Sequence, residues 1–301
     1  MSRFASLRHP PNRRAILGRP VFAVALAALA SHSGGASAPA PLRELTVCAD
    51  PNNLPFSNRA EAGFENKLVE LVAHDLDAHV TYVWWAQRRG YARHTLAEAK
   101  CELWPGVAYG VEHIATTQPY YRSTYVFVTR GDRPLDGLTL DDARLKSLSI
   151  GVQMVGDNAM NTPPAQALAH RGLTANVRGY MLYGDYNRPN PPAAIIDAVA
   201  HGQIDAALVW GPLAGFFAHR SAVPLRLTPV TAQAGAAQWP MVYDISMGVS
   251  PDKPELKTQI EATLEKEKPA INALLRAYYV PQTSAEPFAI HSQAMSTVQP
   301  R

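Results

Sequence analysis

A chain of 301 residues, 47% of them hydrophobic, can bury one large core or two smaller ones and is too apolar to be a disordered chain. Its formal net charge of +3 overstates the basic character of the folded part. Of the 28 basic residues, five (Arg3, Arg8, Arg13, Arg14 and Arg19) lie in residues 1–38, which hold no acidic group, so the remainder carries 23 basic against 25 acidic residues, a formal net of −2; nothing in that balance suggests a nucleic-acid-binding surface, which needs clustered basic residues.

Residues 1–38 read as a signal peptide. Five arginines flank an apolar run, "PVFAVALAALA" (20–30), and small residues follow, including Ala36-Ser37-Ala38. Positive, then apolar, then small is the order of a secretory signal. The run is too short to span a bilayer, and no later segment does better, so no membrane span is expected in the mature protein. Export by the general secretory route is expected. The paired arginines of "NRRAILG" (12–18) are loosely like a twin-arginine signal.

After the leader, strand and helix patterns alternate. "ELTVCA" (44–49) reads as a strand that ends at the turn formers "DPNNLPFSN". "GFENKLVELVAHDL" sets Phe64, Leu68, Leu71, Val72 and Leu76 on one helical face. "HVTYVWW" (79–85) reads as a second strand, residues 89–100 as a helix, and "CELWPGV" (101–107) as a short third strand stopped by Pro105 and Gly106. This order implies a parallel sheet with helices on both faces.

A second series starts after Arg130. "SLSIGVQ" is a strand, and "TPPAQALAHRG" a helix with Thr162 as N-cap and Gly172 at its end. "ANVRGYMLY" is a strand, "PPAAIIDAVAHGQ" a helix, "IDAALVWGP" a strand running into a Gly-Pro loop, and "VPLRLTPV" a strand. "YDISMGVS" closes the strands, and helical sequence follows from Pro254 with a break or kink at Pro269. The reading is an α/β fold of two lobes: 43–130 plus 240–301, and 131–239. "STYVFVTR" and "YDISMGVS" are the crossings, and a cleft lies between the lobes at the carboxyl ends of the strands.

The loops at those ends are rich in Asn, Asp, Tyr, Gly and Pro, residues that bind through rigid aromatics and turn-held amides. The candidate cleft residues are Asp50, Asn52, Asn53 and Phe56 after the first strand, Trp85, Gln87 and Arg88 after the second, and Tyr120, Tyr121 and Arg122 at the crossing. The second lobe offers Gln153, Asp157, Asn158, Tyr183, Asp185, Tyr186 and Trp210. For Arg88 a solvated pair with Arg89 is the plain alternative, and for Asp157 and Asn158 it is helix capping. Trp84 and Trp85, adjacent on a strand, face opposite sides, one toward the core and one toward the cleft. No Gly-x-Ser-x-Gly elbow, zinc spacing, C-x-x-C, haem motif, Walker loop or dinucleotide fingerprint occurs, so no catalytic residue, metal or cofactor is expected. Cys48 and Cys101 are an even pair in an exported chain, which favours a disulfide; two buried thiols are the alternative, and both readings stand at this point.

The layout resembles the type II periplasmic solute-binding fold, family 3, over nearly all of residues 43–280. "CADPNNLPFSN", "GFENKLVELVAHDL", "YVWWAQRRGYARHTL", "PYYRSTYVFVTR" and "GDYNRPNPP" resemble more closely the branch associated with bacterial methanol oxidation. The resemblance implies a non-enzymatic accessory protein. Its partners would be a quinoprotein (PQQ) methanol or alcohol dehydrogenase and the dehydrogenase's cytochrome c, and the cleft would serve a protein or an unidentified small ligand. Amino-acid binders of the fold carry a Thr-x-x-Arg whose guanidinium clamps the ligand carboxylate. The corresponding place here is His113, so that clamp is missing. Tyr120, Tyr121, Tyr183 and Tyr186 are expected at the cleft mouth, facing a partner, unless Tyr120 packs beneath the crossing strand. Two other readings stand beside this one: a receptor delivering a solute to an ABC importer, and a cleft enzyme such as a dehydratase.

Overall fold

The computed structural model describes residues 43–87, 90–133, 135–154, 161–181, 186–230 and 239–283. By its contacts, Leu42–Arg301 forms one compact unit. Its first elements are β1 (Arg43–Ala49), a small hairpin of β2 (Asn52–Asn53) and β3 (Ser57–Asn58), and α1 (Phe64–Asp75). Next come β4 (Ala78–Trp84), a single helical turn α2 (Tyr91–His94), β5 (Leu103–Ala108), β6 (Ala115–Thr116) and the long β7 (Tyr121–Arg130). Then follow β8 (Ile150–Met154), α3 (Pro163–His170), β9 (Val177–Met181), α4 (Ala194–Ala200), β10 (Ala206–Trp210), α5 (Gly211–Arg220) and β11 (Leu225–Pro229). The last elements are β12 (Val242–Val249), α6 (Pro254–Lys266) and α7 (Lys268–Ala277).

The main sheet runs β4-β1-β5-β12-β7-β10-β8-β9, with β11 on β7 and β6 on β12. β1 is parallel to β4 and β5, and β8 is parallel to β9 and β10, as βα crossovers require. β7 and β12 are antiparallel to each other, paired from Val242↔Thr124 to Ile245↔Tyr121. They join the two parallel groups. One apolar core gathers around Phe64, Leu68, Val72, Leu103 and Met247, and two more form on residues between Val126 and Met241.

Local chemistry explains the start of α1. A Cβ at Gly63 would lie 1.9 Å from the Phe56 carbonyl oxygen, so only glycine fits. The Asn66 side-chain oxygen accepts the Gly63 N–H at 3.1 Å and the Asn58 N–H at 3.2 Å, which ties the helix end to the hairpin. The helix buries Phe64, Leu68, Val69, Val72 and Ala73, while Leu71 and Leu76 are only partly covered. Glu65 and Asn66 are buried with them.

Four expectations need correction. Residues 89–100 do not form one helix. The turn from Tyr91 ends at Thr95, whose hydroxyl donates to the Tyr91 carbonyl at 2.6 Å, and Ala99 takes a positive φ of 52°. Pro105 does not stop the third strand, because the β5–β12 register shifts between Ser246 and Gly248. Trp104 pairs with Gly248 and Val107 with Ser246, so β5 has one extra residue where Pro105 lacks its N–H. Thr162 holds the N-cap position of α3 but does not cap it; its hydroxyl donates to the Gln153 carbonyl at 2.8 Å. Finally, the Gly-Pro stretch after β10 is the helix α5, not a loop. Its glycines are packing positions: a Cβ at Gly211 would meet the Thr124 carbonyl oxygen at 2.6 Å, and one at Gly215 the Tyr279 oxygen at 1.9 Å. Pro269 does separate two helices, sitting in the first turn of α7.

Cys48 and Cys101 form a disulfide, with Cα atoms 5.6 Å apart. Parallel register places Val47 opposite Leu103, which would set the two cysteines at different levels. Cys101 lies before β5 begins, so it is not held to the ladder. The bridge is buried with Tyr91 and Leu96.

Two measurements check this packing. Phe64→Ala should cost about 3–5 kcal/mol in urea denaturation, as a large aromatic leaving a closed core does. The exported protein should show no alkylatable thiol by mass spectrometry, and the Cys48→Ser, Cys101→Ser pair should lower stability by about 2–5 kcal/mol. Two thiols alkylated after denaturation without reductant would contradict the bridge.

Candidate functional site

The site assembles where β1 ends. Asp50, 1% exposed, accepts the Asn52 N–H at 2.8 Å on Oδ1 and the Gln87 N–H at 2.6 Å on Oδ2. One carboxylate thus holds both the hairpin and the chain leaving β4. Burial pushes its pKa up, against the pull of those two backbone donors. The Asn53 amide donates to Gln87 Oε1 at 3.0 Å, while its own Oδ1 is buried with no hydrogen-bond partner among the described residues. Asn52 reaches the Arg188 carbonyl at 2.9 Å, and Phe56 packs 5.5 Å from Phe64.

Glu65 was not among the expected residues, and it changes the character of the site. It stands in the first turn of α1 and is 5% exposed. Its Oε1 lies where a Cβ at Gly106 would come within 1.9 Å, so the carboxyl rests on the bare backbone of β5. No hydrogen bond to it occurs among the described residues. Burial pushes its pKa up to about 8, and the neighbouring Asp50 adds to the rise. The sequence signal was present: Glu65 precedes Val69 and Val72 at helical spacing, which puts a carboxylate in an apolar stripe.

Aromatic rings surround this pair. Tyr91 is 4.8 Å from Trp104 by ring centroids, and the Tyr120 hydroxyl donates to the Pro105 carbonyl at 2.9 Å. Tyr121 meets Phe64 edge-on at 6.1 Å. Burial raises all three phenols well above their ordinary range, and Glu65 adds to each rise. Tyr121 is 6% exposed and belongs to the core, and Tyr120 is packed against it. The two tyrosines therefore do not stand at a mouth facing a partner: both rings complete the core beneath the crossing strand, the alternative open for Tyr120.

The other candidates fall in three groups. Gln153 Oε1 accepts the Trp210 N–H at 3.0 Å, and the Trp210 ring meets Tyr125 at 5.2 Å and Tyr243 at 5.9 Å, edge-on to both. Arg122 pairs with Asp244 at 3.2 Å across β7 and β12. Trp85 and Tyr186 are exposed, and Trp85 lies against His94 and under the Lys100 ammonium, 5.3 Å from its ring. Trp84 is half-buried and stacks on Tyr82 at 4.5 Å rather than entering the core. Arg88, Asp157, Asn158, Tyr183 and Asp185 lie outside the described residues. His113, at the place of the carboxylate clamp, is exposed on a left-handed turn with φ 64°. Among the described residues no three His, Cys, Asp or Glu side chains gather as a metal site, and no helix is long and apolar enough to cross a membrane.

The chain is 33% identical to Protein MoxJ of Methylorubrum extorquens over 249 residues, which is 79% of this chain and 81% of that protein. The chain belongs to the MoxJ family. Protein MoxJ of Paracoccus denitrificans is 31% identical over 79% of this chain and 88% of its own length. Among solved structures, the periplasmic binding protein XoxJ from Methylobacterium extorquens AM1 is 35% identical, with a TM-score of 0.65 over 80% of this chain and all of that one. MxaJ from Methlophaga aminisulfidivorans MPT is 26% identical, with a TM-score of 0.67 over 79% of this chain. An ancestral cationic amino acid solute-binding protein shares the fold at 17% identity and a TM-score of 0.61. The α/β periplasmic-binding-protein fold is thus the fold of this family member. No family model matches the chain.

The raised Glu65 carboxyl makes stability depend on pH. In the unfolded chain it ionises near 4.5, and in the folded chain at about 8. Between those values the unfolded state has released a proton that the folded state keeps, so this group's contribution falls as pH rises. Thermal denaturation between about pH 5 and 8 should show a declining Tm for the parent and a shallower decline for Glu65→Gln. Superimposable curves would count against the buried, protonated carboxyl.

Proposed function

We propose that this MoxJ-family chain is a non-enzymatic periplasmic binding protein that activates or matures a quinoprotein methanol or alcohol dehydrogenase. The observation that carries the reading is the identity of about a third to proteins named MoxJ and XoxJ across four-fifths of the chain. The chemistry of the site supports it. A buried carboxyl pair with phenol rings already hydrogen-bonded or packed in the core offers no nucleophile with an adjacent base. An exposed His113 offers no clamp for an amino-acid carboxylate. In this reading residues 1–38 direct export, and the lobes are 43–130 plus 240–301 and 131–239. The cytochrome c that accepts the dehydrogenase's electrons is a second candidate partner.

Contact with the dehydrogenase is assigned to the exposed aromatics Trp85 and Tyr186, 38% and 50% accessible, because rigid aromatic side chains dominate protein interfaces. The test is dehydrogenase activity assembled with and without this protein. Higher activity in its presence supports the proposal. Unchanged activity, with tight binding of a solute such as an L-amino acid, would move the chain to the transport receptors. Trp85→Ala with Tyr186→Ala should weaken dehydrogenase binding by ~2 kcal/mol or more while leaving the melting temperature unchanged. Tyr121→Ala should instead lower stability, since that ring is part of the core.

A further inference from the structure

We propose that the end of the sheet formed by β1, β5 and the first turn of α1 binds a small organic ammonium ion, with Glu65 as its counter-ion. The first ground is an excess of acceptors. Glu65 is 5% exposed and no hydrogen bond to its carboxyl occurs among the described residues, and Asn53 Oδ1 is buried with no hydrogen-bond partner among them. Buried polar atoms in native proteins are normally paired, so an orphan asks for the group that completes it. Here the completing group must bring N–H or O–H donors.

The second ground is charge. The groups that act on Glu65 or feel its charge are Asp50 at the end of β1, Tyr82 on β4, Tyr91 on α2, and Tyr120 and Tyr121 at the start of β7. None is a cation. Arg122 is committed to Asp244, and both backbone donors beside Asp50 are taken by Asp50 itself. A ligand carboxylate would therefore meet acceptors and a second carboxylate. An ammonium group would meet complementary charge and phenol rings, whose faces attract cations. Gly106 is the residue that makes the site, because any Cβ there would occupy the place of the Glu65 oxygen.

Binding of a cation needs Glu65 ionised. Because burial beside Asp50 keeps the proton on Glu65 up to about pH 8, binding releases a proton and strengthens as pH rises toward that value. This inference is independent of the dehydrogenase reading, since the site is internal to the chain.

The experiment uses ethylammonium and propylammonium chloride as probes, with ethanol, acetate and L-alanine as comparisons, on the exported protein at mildly alkaline pH. Alkylammonium should raise the melting temperature in a concentration-dependent way. Glu65→Gln keeps the side chain's shape, and its circular dichroism reports whether it folds. Folded Glu65→Gln should bind at least tenfold more weakly. A variant-free measurement runs beside it: titration calorimetry of the parent near neutral pH, where Glu65 still holds its proton, in buffers of different ionisation enthalpy should show proton release on binding. The proposal is overturned if no alkylammonium binds, if binding releases no proton, if folded Glu65→Gln binds as the parent does, or if L-alanine or ethanol gives the larger response.

Discussion

Two carboxyl groups in one buried space cannot both ionise cheaply, and the end of β1 is organised around that constraint. Asp50 is the member with partners. Its two oxygens take the N–H groups of Asn52 and Gln87, so the charge is held by the backbone and the backbone by the charge. Glu65, with no such donor among the described residues, is left as the group that keeps its proton. The hairpin, the start of α1 and the exit of β4 all converge on this division of roles. The Ser57 hydroxyl strengthens it by bonding the Asp50 carbonyl at 2.8 Å.

The same end of the sheet is where the chain changes direction. β7 pairs with β12 over its first residues and with β10 and β11 over its last, so one strand serves both halves of the sheet. Tyr120 and Tyr121 stand at its start, and both phenols feel the charge of Glu65. Trp210, Tyr125 and Tyr243 close edge-on contacts where β10 and β12 approach β7. The Glu65 carboxyl and the path of the crossing strands therefore share a boundary. A change in the charge of Glu65 acts at the point where the two parallel groups of strands are joined.

Much of the fold was legible because strands such as "ELTVCA" and "STYVFVTR" are runs of β-branched and aromatic residues between turn formers. What misled was chemistry with two meanings. Gly211, Pro212 and Gly215 read as a loop, yet glycine was there because the Thr124 and Tyr279 carbonyls come too close for a Cβ. Pro105 read as a stop, yet an extra residue in β5 absorbed its missing donor. In the candidate site, Asp50, Asn53 and Gln87 lie in loops that the sequence marks as turns, but the bonds that join them are not readable from it. Tyr120 and Tyr121 were placed at a mouth because tyrosine has a polar tip, but the tip of Tyr120 is turned to the Pro105 carbonyl. An acidic residue in the first turn of a helix is ordinary, so Glu65 does not stand out there. Its position in the apolar stripe, with Val69 and Val72, was the informative feature.

The central claim is that Glu65 is a buried carboxyl kept neutral beside a charged Asp50. The most direct measurement is the carboxyl carbon chemical shift of Glu65 followed by NMR across the pH range, assigned by its loss in Glu65→Gln. The account predicts a midpoint near 8, well above the 4.5 of a free side chain. A midpoint near 4.5 would contradict it, because the carboxyl would then be an ordinary solvated group.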